Sequence, residues 1–311
     1  MKNILNYYYH FIVDEIRQVN KKYFFTDHQY QYIFMPFLRS LEEVNALYYL
    51  NVELSHTHLP FHRILLNKDR QMLTFVNDTP YVLLQVVLRE NRKVSLVDFK
   101  EAIPFWGTNT KTVESIVRFD WVHLWTTKLD YLEYQIQHLQ KKYLALTDSL
   151  SYFIGLGENA ISYVQNTLFE VKREEKDTLV ISHRRVSVED DLMEFYHPMS
   201  LILDHRVRDI SEYLKSLFYH DHYQIEELDA YFQELSLSPF GYRLLYGRLL
   251  FPSFYFDLYD QIINGYEKEE RLFGMIGRIG EYERFLYDIY NILKKYTPLP
   301  PVTWIQKKFS I

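Results

Sequence analysis

Residues 180–191, with the sequence VISHRRVSVEDD, contain the side chains whose types and spacing come closest to a catalytic motif. A short apolar run leads to His183, Arg185 follows two positions later, and Asp190 follows seven positions after the histidine. Enzymes that transfer phosphoryl groups contain a catalytic loop with the pattern His-x-Asp-x-x-x-x-Asn. The Asp accepts the proton of the attacking hydroxyl, and the Asn binds a magnesium ion. Arg185 occupies the position of that Asp, and Asp190 occupies the position of that Asn.

These two replacements have different chemical consequences. A guanidinium group has no acceptor atom and stays protonated near neutral pH, so Arg185 cannot act as the general base. Asp190 keeps a carboxylate and remains a candidate metal ligand. His183 is expected to brace the loop. We therefore interpret residues 183–190 as a degenerate catalytic loop.

The sequence before this loop predicts a small lobe of antiparallel strands with one helix. Apolar runs on either side of short turns indicate two hairpins, and the helix between them has Ser40 as its expected N-cap. The predicted strands are residues 23–26, 30–37, 71–76 and 80–87, and the predicted helix is residues 41–54. We place this lobe at residues 1–84.

Enzymes that transfer phosphoryl groups with a loop of this pattern also use a lysine to contact the phosphates of the nucleotide, and the predicted lobe lacks it. That lysine stands on the third strand and pairs with a glutamate on the next helix. Met35 or Pro36 falls at its position, and residues 23–67 contain no lysine. Glu42 and Glu43 are either remnants of the helix partner or favourable charges at a helix N-terminus. We therefore expect no bound nucleotide cofactor.

Residues 85–311 are predicted to form a second, mostly helical lobe. Apolar residues recur at helical spacing over 121–139, and the following helix is expected to break near residues 155–157 at two glycines. Residues 192–196 and 200–203 are expected to pair as a further hairpin. The fold class is therefore α+β, with a small β-rich N-lobe and a helical C-lobe.

Composition excludes several classes of function. The chain of 311 residues has no cysteine, which excludes disulfides, thiolate metal sites and cysteine nucleophiles. The net charge of −6, without a basic patch, argues against nucleic-acid binding. No apolar window reaches the ~18 residues of a membrane helix, so no membrane insertion is expected. The histidines at 56, 58 and 62 lack a metal-binding motif and are expected to be structural or exposed.

Three longer segments resemble a known family. They are IGLGENAISYV (154–164), LDHRVRDISEYLK (203–215) and SPFGYRLLYGRLLFPSFYFD (238–257). These segments are similar to bacterial spore coat proteins of the CotS group, in particular to the endospore coat-associated YutH type, and the resemblance extends over nearly the whole chain. It implies a protein-kinase-like fold of the aminoglycoside phosphotransferase and choline kinase branch.

The resemblance implies roles for two further aspartates. Asp204 fits the place of the second metal-binding carboxylate; an alternative register puts that place at residues 196–199 and leaves Asp204 as a helix cap. Asp209 resembles the structural aspartate that hydrogen-bonds the backbone of the catalytic loop. A chain that keeps scaffold positions of this fold but lacks the general base and the phosphate-binding lysine has the pattern of a pseudokinase.

We therefore expect a catalytically inactive protein without metal or nucleotide. By resemblance, it would act in assembling or forming the endospore coat through contacts with other spore coat proteins, after synthesis in the mother-cell cytoplasm. The alternative is an unconventional metal-dependent phosphotransferase that uses ATP and magnesium, with Asp190 and Asp204 holding the metal. A third hypothesis is a module that binds a nucleotide near residues 81–85 without chemistry.

Overall fold

The computed structural model describes residues 1–27, 29–87, 92–107, 110–139 and 142–310. Within these ranges, the first lobe is a six-stranded antiparallel sheet with one helix on each face. Its helices are α1 (Lys2–Tyr9) and α2 (Val44–Ser55), and its strands are β1 (Arg17–Val19), β2 (Lys22–Thr26), β3 (Gln31–Pro36), β4 (Arg63–Leu65), β5 (Leu73–Val76) and β6 (Thr79–Val86). Strand β3 pairs with β2 and β6, while β4 and β5 both pair with the other edge of β6.

The alternation of side chains along β3 determines which of them face the second lobe. Ile33 and Met35 pack on the sheet face covered by α2, whereas Tyr32 and Phe34 pack on the face covered by α1. Successive side chains of a strand point to opposite faces. The α2 face also contacts Leu203 and its neighbours in the second lobe, so position 35 is directed toward the junction of the lobes.

Local sequence signals explain how α2 begins and where the sheet ends. The Ser40 side chain accepts a hydrogen bond from the backbone N–H of Glu42, and a short 3₁₀ turn at Leu41–Glu43 leads into the helix. This is the N-cap expected from the sequence. The last strand, β6, continues to Val86, two residues past the predicted lobe boundary at residue 84.

The second lobe is a bundle of helices with a small three-stranded sheet. Its strands are β7 (Ile103–Pro104), β8 (Val180–His183) and β9 (Leu201–Asp204). Its helices are α3 (Thr110–Val113), α4 (Trp121–Leu139), α5 (Leu144–Glu170), α6 (Leu192–Phe195), α7 (Val207–Tyr219), α8 (Ile225–Glu234), α9 (Pro239–Leu250), α10 (Ser253–Ile263), α11 (Arg271–Gly277), α12 (Ile279–Leu293) and α13 (Thr303–Phe309). Among the residues described, no helix has both the length and the apolar character needed to cross a membrane.

The predicted break near residues 155–157 is wrong, because α5 runs without interruption through both glycines. A Cβ at Gly157 would lie 3.1 Å from the Leu129 side chain of α4, so the glycine lets the two helices approach closely. Glycine lowers the stability of an isolated helix by only about 1 kcal/mol. Packing of α5 against α4 outweighs this cost, so the helix continues through both glycines.

The predicted hairpin of residues 192–196 with 200–203 is also wrong. Leu192–Phe195 form the short helix α6, and Pro198–Ser200 form a 3₁₀ turn that begins with the proline. Strand β9 pairs instead with β8, with Leu201 opposite His183. Because β8 and β9 are buried along their whole length, this pairing satisfies backbone groups that would otherwise lose their water partners.

Close packing of α5 and α9 predicts opposite effects for two glycine substitutions. A Cβ at Gly247 would lie 2.6 Å from the buried Val164 side chain, whereas a Cβ at Gly155 would have no neighbour within 4 Å. We expect Gly247→Ala to lower the free energy of unfolding by about 1–3 kcal/mol through overpacking. Gly155→Ala, the matched control, should leave it unchanged or raise it by up to ~1 kcal/mol. Denaturant unfolding of both variants checks this, and equal stability of the two would contradict it.

Candidate functional site

The degenerate loop begins at the end of β8, where a buried carboxylate holds it. The backbone N–H of His183 donates to Asp209 Oδ1 at 2.8 Å, and His183 Nδ1 lies 2.7 Å from Asp209 Oδ2. The other ring nitrogen, Nε2, lies 2.7 Å from the backbone oxygen of Phe195, and the two rings stack with centroids 4.1 Å apart. His183 and Asp209 thus form one buried unit that fixes the start of the loop.

Arg185, at the position of the general base, is bound to acidic groups. Its Nη2 donates to Asp257 Oδ1 at 2.6 Å, its Nε donates to Asp257 Oδ2, and Glu212 Oε2 lies 3.4 Å from Nε. Burial disfavours the charged form of Arg185, but Asp257 and Glu212 more than offset this and raise its pKa. The side chain at the predicted position of the base is therefore a permanent cation, and its paired carboxylate is Asp257.

Behind Arg185 lies a buried group of alternating charges. Glu212 accepts from Ser253 Oγ at 3.2 Å and lies 3.4 Å from Lys215 Nζ. Burial opposes ionisation of Glu212, yet Lys215 and Arg185 hold its pKa well below its usual range. Burial lowers the pKa of Lys215 to about 8, with Glu212 acting in the opposite direction. The loop therefore rests on a carboxylate whose charge is already neutralised.

Asp204 is fully buried, and both of its carboxylate oxygens are engaged. Trp121 Nε1 and the backbone N–H of His205 each donate to Oδ1 at 2.7 Å. On the other oxygen, Oδ2, Arg208 Nη1 lies at 3.0 Å and Arg248 Nη1 at 3.3 Å. A carboxylate offers about four lone-pair positions. A metal ion at Asp204 would have to displace an indole, an amide or a guanidinium.

Asp190 lies apart from Asp204 and takes part in a local turn. Its Oδ2 accepts the backbone N–H of Ser187 at 2.7 Å. Burial raises the pKa of Asp190, the hydrogen bond from Ser187 opposes this, and Glu194 raises it further. Among the described residues, no group of three or more His, Asp or Glu side chains has the arrangement of a metal site.

Met35, one of the two residues predicted at the position of the phosphate-binding lysine, makes a neutral contact with His197. Met35 Sδ lies 3.1 Å from His197 Nε2, and His197 Nδ1 accepts the backbone N–H of Met199 at 3.1 Å. Since Nδ1 is an acceptor, the imidazole is neutral with its proton on Nε2. Burial lowers the pKa of His197 to about 4, while Glu194 opposes that change. Pro36 follows Met35 at the edge of the same cleft.

Glu43, a candidate partner for such a lysine, is buried and pairs with arginines instead. Its Oε2 lies 2.7 Å from Arg39 Nε, and its Oε1 lies 2.6 Å from Arg118 Nη2. Burial raises its pKa, but Arg39 and Arg118 outweigh this and lower it. Glu42, in contrast, is exposed.

A cleft of about 660 Å³ lies between the lobes. Its lining brings together Met35, Pro36 and Arg185, whereas Asp190, Asp204 and Asp209 do not line it. Further lining residues, which were not identified from the sequence, are Arg39, Arg118, Arg184, Glu194, His197, Arg208, Asp257 and Asp260. The adjacent arginines at 184 and 185 are the one sequence feature that could have indicated an arginine-rich cleft.

Histidines also connect the lobes. His62 is fully buried; its backbone N–H donates to the oxygen of Tyr196 at 3.1 Å, and its Nδ1 accepts the N–H of Val87 at 3.2 Å. Burial lowers the pKa of His62 to about 4, and Glu194 acts in the opposite direction. Of the histidines at 56, 58 and 62, the first two are exposed, and none belongs to a metal site among the described residues.

Because His62 is buried in its neutral form, we expect the folded protein to lose stability in mild acid. Its folded-state pKa lies below the unfolded value, so the unfolded chain binds the proton more readily, and stability falls as pH drops from about 6.5 toward 4. Between pH 7.5 and 5 we expect His62 to contribute a loss of about 2 kcal/mol in the free energy of unfolding. Denaturant unfolding at both pH values, with His62→Asn as the non-titrating comparison, checks this. An unchanged pH dependence in the variant would contradict it.

Comparison with solved structures identifies the fold. The chain is similar to an aminoglycoside phosphotransferase from Alicyclobacillus acidocaldarius, with a TM-score of 0.63, 9% identity, and coverage of 95% of this chain and 96% of that chain. It is also similar to the AMP-bound spectinomycin phosphotransferase APH(9)-Ia, with a TM-score of 0.56, 9% identity, and coverage of 94% and 96%. Identity this low shows the fold alone, and it confirms the expected aminoglycoside phosphotransferase-like architecture.

Comparison of sequences identifies the family. The chain is 28% identical over 300 residues to the endospore coat-associated protein YutH of Bacillus subtilis (strain 168), and the alignment covers 86% of each chain. The model of the family described as "Spore coat putative kinase YutH" matches residues 2–289. Because this match extends over most of the chain, it confirms the expected resemblance, and the protein belongs to the spore coat YutH family.

Proposed function

We propose that the protein is a catalytically inactive kinase-fold component of the endospore coat that works through contacts with other proteins. The observation that carries this proposal is the ion pair between Arg185 and Asp257. A cation at the position of the general base cannot accept a proton from an attacking hydroxyl. The pair also neutralises the carboxylate that lines the cleft beside it.

Two further features of the second lobe and the cleft support the loss of catalysis. The neutral contact between Met35 and His197 provides no positive charge for the tail of a nucleotide. Asp204 is surrounded by Trp121 and two arginines, so it offers no free oxygen to magnesium. An active enzyme would need to replace three separate functions: the base, the lysine and the metal ligand.

Family membership supports the proposed location. The Bacillus subtilis relative is named as endospore coat-associated, and we propose the same destination for this chain, after synthesis in the mother-cell cytoplasm. Large aromatic side chains on the second lobe offer surface for protein contacts: Phe169, Tyr266 and Phe273 are 93%, 81% and 62% exposed. Aromatic residues are enriched at protein interfaces.

We predict that the purified protein does not turn over nucleotide. With magnesium-ATP, and with small alcohols, amino sugars or protein hydroxyls as acceptors, phosphate release and transfer should not exceed the rate without protein. Magnesium should also add nothing to any thermal shift caused by ATP, because the cleft carboxylates Asp257 and Asp260 are already paired with Arg185 and Lys128. The proposed location is tested separately by fractionating spores and detecting the protein with an antibody. We expect the signal in the coat extract.

The alternative, an unconventional metal-dependent phosphotransferase, makes the opposite prediction. It requires turnover that depends on magnesium and disappears in Asp190→Ala, a variant of a half-buried side chain whose described contact is confined to its own turn. Observation of such turnover would overturn the inactive assignment without affecting the coat location. A signal confined to the cytoplasmic fraction would overturn the location without affecting the assignment.

A further inference from the structure

Three of the arginines that line the cleft, Arg39, Arg118 and Arg184, lie near one carboxylate, Glu43, which pairs with two of them. Arg39 and Arg118 both pair with Glu43, at 2.7 and 2.6 Å. The guanidinium of Arg184 makes no hydrogen bond or ion pair with any residue in the described ranges. The backbone of Arg184 is nevertheless fixed, because its oxygen accepts from Arg185 at 2.7 Å and from Arg208 at 2.8 Å.

Arg39 has a buried donor without a partner. Its side chain is only 3% exposed, and its Nη1 donates to the backbone oxygens of Leu201, at 2.5 Å, and Met199. Its Nη2 is buried and has no hydrogen-bond partner among the described residues. Leaving a buried charged donor unpaired costs free energy, and natural proteins rarely do so. This donor belongs to a residue that lines the cleft.

The surrounding acidic groups do not offset the excess positive charge. Of the carboxylates that line the cleft, Asp257 pairs with Arg185, Glu194 with Lys22 at 3.0 Å, and Asp260 with Lys128 at 2.6 Å. Desolvation lowers the pKa of Arg184, and the like charge of Arg39 lowers it further, while Glu43 opposes both. The repulsion persists because Glu43 can compensate only one charge.

We propose that Arg39, Arg118 and Arg184 bind a phosphate group in the cleft. Guanidinium groups present planar pairs of donors that match phosphate oxygens. Three arginines with one carboxylate leave two positive charges, which a phosphate monoester dianion neutralises and a single carboxylate does not. The phosphate group belongs either to a small molecule or to a phosphorylated side chain of a protein. The site needs neither metal nor nucleotide, so it is independent of the proposed function.

Thermal unfolding with sodium phosphate, compared with sodium chloride of equal ionic strength, tests the site. At pH 7.5, where phosphate is mostly dianionic, the midpoint should rise by about 2–4 °C at ten times the dissociation constant. Arg184→Ala should weaken phosphate binding about 10- to 100-fold. It should leave the midpoint without phosphate almost unchanged, because the guanidinium has no partner to lose.

Arg271→Ala is the matched control. It removes the same charge from a side chain that is 63% exposed, pairs with Glu267 and does not line the cleft, so phosphate binding should be unchanged. The charge reversal Arg184→Glu should abolish binding. The absence of a saturable phosphate effect beyond that of chloride would overturn the proposal. Equal weakening in Arg184→Ala and Arg271→Ala would also overturn it, because only general attraction would then remain.

A phosphoserine peptide distinguishes the two sources of the phosphate group. If the peptide binds at least tenfold more tightly than inorganic phosphate, and its unphosphorylated form does not bind, the site recognises a phosphorylated protein. If peptide and inorganic phosphate bind equally, the site recognises the phosphate of a small molecule. Both results support the site, provided that Arg184→Ala weakens the binding of peptide and of inorganic phosphate.

Discussion

Two buried aspartates of the second lobe, Asp204 and Asp209, hold the segment that contains the predicted loop. Asp209 holds the backbone and ring of His183, and Asp204 neutralises Arg208, whose Nε in turn donates to the oxygen of His183 at 2.7 Å. Arg185, which is partly exposed, pairs separately with Asp257 in the cleft. Removing one partner of a buried ion pair costs about 3–5 kcal/mol. Groups that could otherwise act as base or metal ligand are therefore held in structural roles.

The cleft between the lobes is lined by a neutral contact and by arginines. Met35, at the predicted position of a phosphate-binding lysine, contacts the neutral His197 through its sulfur. Arg39, Arg118 and Arg184 also line the cleft, at the junction of the lobes. We propose that these arginines attract anions and that the protein uses the cleft for recognition rather than for chemistry.

Features encoded by short-range patterns could be predicted from the sequence. The hairpins of residues 23–26 with 30–37 and of residues 71–76 with 80–87, and the N-cap Ser40, follow from strand patterns, turn residues and capping chemistry, which act over a few residues. The arrangement of the cleft could not be predicted, because Arg39, Arg118 and Asp257 come from distant segments and meet only through tertiary packing. The pairing of β9 with β8 could not be predicted for the same reason, because it spans an intervening loop and helix. Continuity of α5 through two glycines likewise reflects packing rather than local propensity.

If Asp190 and Asp204 are held in structural roles, as we propose, neither of them binds a divalent cation. Electron paramagnetic resonance of Mn²⁺, used in place of magnesium and without nucleotide, measures such binding. We expect that adding the protein leaves the signal of free Mn²⁺ unchanged. A stoichiometric change in the signal on adding protein, abolished by Asp190→Asn, would contradict it.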